Sequence, residues 1–127
     1  MTHIMKTYRN GRPTKAQLMD YARNCAMAET MGDVYVIEFV TPLGNDKQAA
    51  KYYVGWALQG EAERRLNEHK AGLGARITRA AAAQGIEMRL VAVMPGTPVT
   101  EREIKNRANT PKLVAQLRSQ KSKYLVS

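Results

Sequence analysis

Two short segments dense in β-branched and aromatic residues constrain this chain most: Val34-Tyr35-Val36-Ile37-Glu38-Phe39-Val40 and Lys51-Tyr52-Tyr53-Val54-Gly55-Trp56, with Thr41-Pro42-Leu43-Gly44-Asn45-Asp46 between them. Such residues suit a pleated surface, and a turn-rich connection between two runs of them predicts a hairpin with a long loop. The period then changes. Leu58, Ala62 and Leu66 fall on one stripe and predict a helix over 61–70, with Gly72 as its stop. An alanine-rich helix over 75–84 ends at Gly85, and Ile86, Met88 and Leu90 alternate with Glu87 and Arg89 as in a half-buried strand running to about Val93. Beyond Pro95-Gly96, Thr97 as N-cap and Pro98 at the first helical position open a third helix to Arg107, and 111–121 reads as a last one. Upstream, Leu18, Tyr21, Ala22, Cys25 and Ala28 recur at helical steps after Thr14, which places Cys25 on a core-facing side.

A chain of 127 residues supports one hydrophobic core. Its 20 Lys and Arg against 11 Asp and Glu give a net charge of +9, which points to a polyanionic partner. The excess is concentrated at the ends: Lys6, Arg9, Arg12 and Lys15 have no acid among residues 1–19, and residues 104–127 carry six cations and no acid. Both ends read as phosphate-seeking arms. Cys25 is the only cysteine, so neither an intramolecular disulfide nor a cysteine zinc cluster can form. No apolar run approaches the ~20 residues of a membrane span, and the N-terminus lacks a signal-peptide apolar core. An intracellular, cytoplasmic protein without a membrane partner is the expectation.

Composition and spacing alone do not demand an enzyme, because the chain has two histidines, no CxxC and no Gly-rich phosphate loop. Five elements in order carry a resemblance: Val34-Tyr35-Val36, Tyr53-Val54-Gly55, Arg65-Leu66-Asn67-Glu68-His69, Glu101-Arg102-Glu103-Ile104-Lys105, and Asn109. Together they resemble the motif set of the GIY-YIG nuclease domain, found in homing endonucleases, an excision-repair nuclease, some restriction enzymes and many small phage proteins. The resemblance covers about residues 33–113. It implies an α+β fold with a small, three-stranded, mostly antiparallel sheet flanked by helices, to which this chain adds an N-terminal helix. Residues 1–32 are then a basic segment and helix packing on the domain, and 114–127 a basic C-terminal extension.

The activity implied is hydrolysis of DNA phosphodiesters, by nicking or cutting, with Mg2+ or Mn2+; DNA is the partner and no organic cofactor is required. Tyr35 and Tyr53 fall on the two tyrosines of the family, and the resemblance implies that one of them, Tyr35 in preference, acts on the attacking water, with a phenol pKa lowered by metal and cations. Arg65 matches the helical arginine that clamps the scissile phosphate. His69, four residues on and so on the same helix face, assists proton transfer or binds phosphate. Glu101, in preference to Glu103, matches the metal-binding glutamate, a single carboxylate of the kind a magnesium site needs. Arg64, Lys70, Arg76, Lys105 and Asn109 complete a nucleic-acid-binding set. Each has a plainer reading beside it: the tyrosines as sheet packing, Arg65 as a solvated helix charge, Glu101 as an i, i+4 partner of Lys105, and Glu103 as half of a capping box with Thr100. Two departures stand out, Asp33 at the position of the first triplet's glycine and Trp56 after Gly55. The rival function is a protein that binds nucleic acid without cutting it; a third is a protein-interaction domain.

Overall fold

The long apolar run after Gly32 becomes a single strand, β1 (Gly32–Leu43), which pairs antiparallel with β2 (Ala50–Ala57) on one side and β3 (Met88–Gly96) on the other. The computed structural model describes residues 15, 16, 19, 29–44, 50–107 and 109–126; Cys25 and most of the expected N-terminal helix lie outside these. Between β2 and β3 come α1 (Ala62–Lys70) and α2 (Arg76–Ala83), and after β3 come α3 (Pro98–Arg107) and α4 (Thr110–Ser119). The described residues thus form an α+β unit: an open antiparallel sheet of order β2-β1-β3 with four helices. None of these helices is long and apolar enough to cross a membrane.

Because β1 is the central strand, both of its faces are covered, which is why residues 34–37 show no polar alternation. Val34 and Val36 join Val54, Val91, Val114 and Leu117 against α3 and α4, while Tyr35, Ile37 and Phe39 join Ala57, Ala62, Ala81 and Met88 against α1 and α2. Only Glu38 interrupts the run, and it is held between Arg89 of β3 at 3.8 Å and Arg118 of α4 at 3.7 Å.

Three local expectations change. Leu58 is 54% exposed and does not extend the apolar stripe of α1, since it lies in the turn before that helix begins. Residues 114–126, read from sequence as an extension, are part of the packed unit. Val114 and Leu117 are buried in the core, and Leu125 bridges Ala92 with Val93 N–H donating to Tyr124 O and Val126 N–H to Val91 O. This segment gives the outer edge of β3 hydrogen-bonding partners that an edge strand otherwise lacks. Finally, Thr100 does not pair with Glu103: Thr97 and Thr100 cap the start of α3 reciprocally, Thr97 N–H to Thr100 Oγ1 at 3.1 Å and Thr100 N–H to Thr97 Oγ1 at 3.3 Å. Two threonines do what a Ser/Thr and Glu pair does in a capping box.

Candidate active site

Strand register sets the site. Tyr35 stands opposite Gly55 and Ile37 opposite Tyr53, so the two phenols share the sheet face that α1 and α2 cover, one diagonal step apart. Gly55 matters through what it lacks: a Cβ there would lie 2.3 Å from Tyr35 Cζ and 2.4 Å from its hydroxyl. The Tyr35 ring therefore crosses directly over β2 at the one residue that leaves room. The rings of Tyr35 and Tyr53 are 6.4 Å apart, and the His69 ring meets Tyr53 edge-on at 5.1 Å.

His69 enters from the last turn of α1. Its Nε2 is 2.9 Å from Tyr35 Oη and its Nδ1 is 2.7 Å from Thr78 Oγ1, in the first turn of α2. The short connection between the helices makes this possible: Gly72, at φ +79°, turns the chain out of α1, and Gly74 lies so close that a Cβ would be 2.5 Å from His69 Nδ1. Tyr35 and His69 both have 0% exposure, and Thr78 has 1%.

Arg65 stands one turn before His69, donates to Glu68 Oε2 at 2.5 Å, and lies close enough for its charge to act on the Tyr35 phenol. Its neighbour Arg64 points outward, exposed and paired with Glu61 and Glu68. From α3, Lys105 places its Nζ 5.0 Å from the centre of the Tyr53 ring, a cation–π contact, and 2.7 Å from Glu101 Oε1. The structure thus brings Tyr35, Tyr53, Arg65, His69, Glu101 and Lys105 to one place. It does not gather the rest there. Lys70 lines a cleft with Met88, Arg89 and Leu90 of β3, Arg76 is exposed at the start of α2, and Asn109 lies in a cleft of about 250 Å³ with Ile104, Arg107, Lys112 and Gln116.

Burial pushes the Tyr35 phenol above its ordinary range, Tyr53 and Glu101 adding to the shift and Arg65 opposing it by charge and hydrogen bond. Burial, then the charge of Glu101, likewise raises Tyr53, against Arg65. His69 moves the opposite way: burial lowers its pKa, and Arg65 and Lys105 lower it further, against Glu68. The expectation of a depressed phenol is therefore reversed in the protein alone. Two neutral phenols surround a neutral imidazole, and the group poised to accept a proton is His69.

Glu101 lies near enough for its charge to raise both phenols, and its partner Lys105 sits over the Tyr53 ring. Among the described residues no cluster of three or more His, Cys, Asp or Glu side chains could hold a metal. A lone carboxylate does not suit zinc, which takes three or four protein ligands; it fits an ion that keeps most of its water, as magnesium does. Asp33, the departure from the first triplet, is tied down by accepting the Gly60 N–H at 2.8 Å. Trp56 packs against the core and donates its indole N–H to Gly96 O at 3.0 Å. Sequence reasoning missed Thr78, Gly74 and the role of Gly55; Glu68 was accessible from its i, i+3 spacing to Arg65. No protein-family model matches the chain, and neither a curated protein nor a solved structure matches it.

Proposed function

We propose that this protein is a metal-dependent endonuclease of the GIY-YIG type, cleaving DNA phosphodiester bonds at the Tyr35–His69 site. The observation that carries the reading is the buried hydrogen bond between Tyr35 and His69, with the charge of Arg65 acting on the same phenol. A phenol bonded to a neutral imidazole and lying beside a cation has an acceptor for its proton and a charge that opposes the effect of burial, and sheet packing alone asks for neither.

In this reading Arg65 leaves Glu68 for the scissile phosphate, where its planar fork matches two oxygens and meets charge developing in the transition state. Its departure uncovers Tyr35, which has no exposed surface while Arg65 rests on it. Tyr35 gives its hydroxyl proton to His69 Nε2, making imidazolium, and the phenolate takes a proton from the attacking water, whose oxygen bonds to phosphorus as the P–O bond to the leaving group breaks. Glu101 would hold the Mg2+ or Mn2+ ion. Bound there, the ion supplies Lewis-acid polarisation of the phosphate and stabilises the leaving oxygen. Lys105, released from Glu101, remains as a cation for the backbone, and the net charge of +9 favours the DNA encounter.

A second reading, a nucleic-acid-binding protein without cleavage, is favoured by the complete burial of Tyr35. Supercoiled plasmid and a branched duplex, incubated with magnesium, manganese or chelator, separate the two. Metal-dependent nicking abolished in both Tyr35→Phe and Glu101→Ala supports the nuclease; tight, salt-sensitive binding with no cleavage of either substrate supports the binder.

A further inference from the structure

The proton inventory around His69 identifies a residue that acts through it. Thr78 has one hydroxyl proton, and its Oγ1 lies 2.9 Å from Ala75 O, an acceptor only, and 2.7 Å from His69 Nδ1. On the other side of the ring, Tyr35 Oη faces Nε2 at 2.9 Å. If Thr78 gives its proton to Ala75 O, Nδ1 carries the ring proton and donates to Oγ1, leaving Nε2 bare to accept from Tyr35. Every group is then satisfied. If the ring proton sits instead on Nε2, it points at Tyr35 Oη, and the phenolic proton has no acceptor among these partners. Burial of all three residues leaves no water to make up the loss.

We propose that Thr78 is a positioning residue: by accepting from Nδ1 it fixes His69 in the Nδ1–H tautomer and so makes Nε2 the acceptor for the Tyr35 proton. Gly74 fixes the ring edge itself, since its backbone occupies the space into which Nδ1 and Cε1 would otherwise turn. The catalytic consequence rests on the nuclease reading above; the tautomer does not.

Long-range ¹H–¹⁵N NMR of the full chain at neutral pH reads the tautomer directly. Wild-type protein should show His69 protonated at Nδ1, as should Tyr35→Phe and the hydroxyl-preserving Thr78→Ser. Thr78→Val, which keeps the shape and removes the acceptor, should shift His69 to the Nε2–H form or a mixture. Plasmid nicking should fall about 10- to 100-fold in Thr78→Val, the range seen when partners that orient a functional histidine are removed, and recover in Thr78→Ser. A wild-type His69 protonated at Nε2 overturns the proposal, and so does a Thr78→Val spectrum that keeps pure Nδ1–H. The wild-type spectrum decides even if Thr78→Val does not fold. Absence of nicking in every variant, with the tautomer as expected, refutes the nuclease reading and leaves the role of Thr78 standing.

Discussion

Replacing Gly55 by alanine adds one methyl group at the point where β2 passes under Tyr35. The new Cβ would lie 2.3 Å from Cζ and 2.4 Å from the hydroxyl, against ordinary contacts of 3.4–4 Å, so the ring has to retreat by about 1 Å or more. Tyr35 is completely buried, and its hydroxyl is anchored to His69 at 2.9 Å, so the retreat both overpacks the core and breaks the bond. Overpacking of this kind costs about 1–3 kcal/mol, and separating a buried donor from its acceptor about 1–3 kcal/mol. The two overlap, because the ring that moves is the one that loses the bond, and about 2–4 kcal/mol of destabilisation is expected. For a chain of 127 residues each kcal/mol lowers Tm by roughly 4 °C, so thermal unfolding should shift down by about 8–16 °C. The control is the same substitution in a Tyr35→Ala background. With no ring to strike, Gly55→Ala should be neutral or stabilise by roughly 0.5–1 kcal/mol, the usual preference of a strand for alanine over glycine. A Gly55→Ala protein with wild-type Tm, or equal shifts in the two backgrounds, would show that Tyr35 does not lie across Gly55 and would remove the geometric basis of the site.

Glu68→Gln frees Arg65 from its carboxylate and should tighten binding to a short duplex about two- to fivefold at low salt by fluorescence anisotropy, an advantage that fades as salt rises; unchanged or weaker binding refutes competition between Glu68 and phosphate. Arg65→Lys keeps the charge but loses the fork, and plasmid nicking should fall about 10²- to 10³-fold. The lowered pKa of His69 fixes the sign of one stability change: the unfolded chain, with a histidine near pKa ~6.5, binds the proton more readily than the folded one. The contribution of neutral His69 is present in full above that value and is lost as pH falls through it toward the lowered folded pKa. Tm should drop between about pH 7 and 5, and the slope should flatten in His69→Gln, since His3 is the only other imidazole. The raised phenols give the opposite limb: in a 295 nm titration part of the absorbance of the six tyrosines should appear above the ordinary value of about 10, and that late fraction should shrink in Tyr35→Phe.

The elements of the sheet and helices were legible because their cause is local. Residues 34–40 can only be a strand, and Gly85, Pro95 and Pro98 punctuate the chain where elements end and begin. The central position of β1 came from the structure, and it accounts for an apolar run without alternation. What could not be read was anything whose cause is distance. Thr78 is one threonine near the start of an alanine-rich helix, and nothing within its own ten-residue neighbourhood distinguishes it until α1 and α2 fold back and place it 2.7 Å from His69. Val114 and Leu117 looked like part of a basic tail because cations dominate residues 104–127, yet with Leu113 they give the helix three apolar residues against the core, enough to dock it. Leu58 failed in the other direction, its i, i+4 spacing to Ala62 being meaningless outside the helix.

The raised phenols, the lowered imidazole and the paired cations belong together. Within the site each cation is matched by a carboxylate, Arg65 by Glu68 and Lys105 by Glu101, so the charges that a DNA phosphate and a metal ion would meet are already satisfied. In that state Arg65 only partly offsets the cost of ionising a buried phenol, and Tyr35 and Tyr53 stay neutral. A phosphate exchanging for Glu68 would leave a negative group paired with Arg65, whereas a divalent cation exchanging for Lys105 would add positive charge at Glu101, the carboxylate that raises both phenols, and so favour their ionisation. Under the nuclease reading, the ion pairs that hold the protein alone would also keep it inactive until a metal ion reaches Glu101 and a phosphate reaches Arg65.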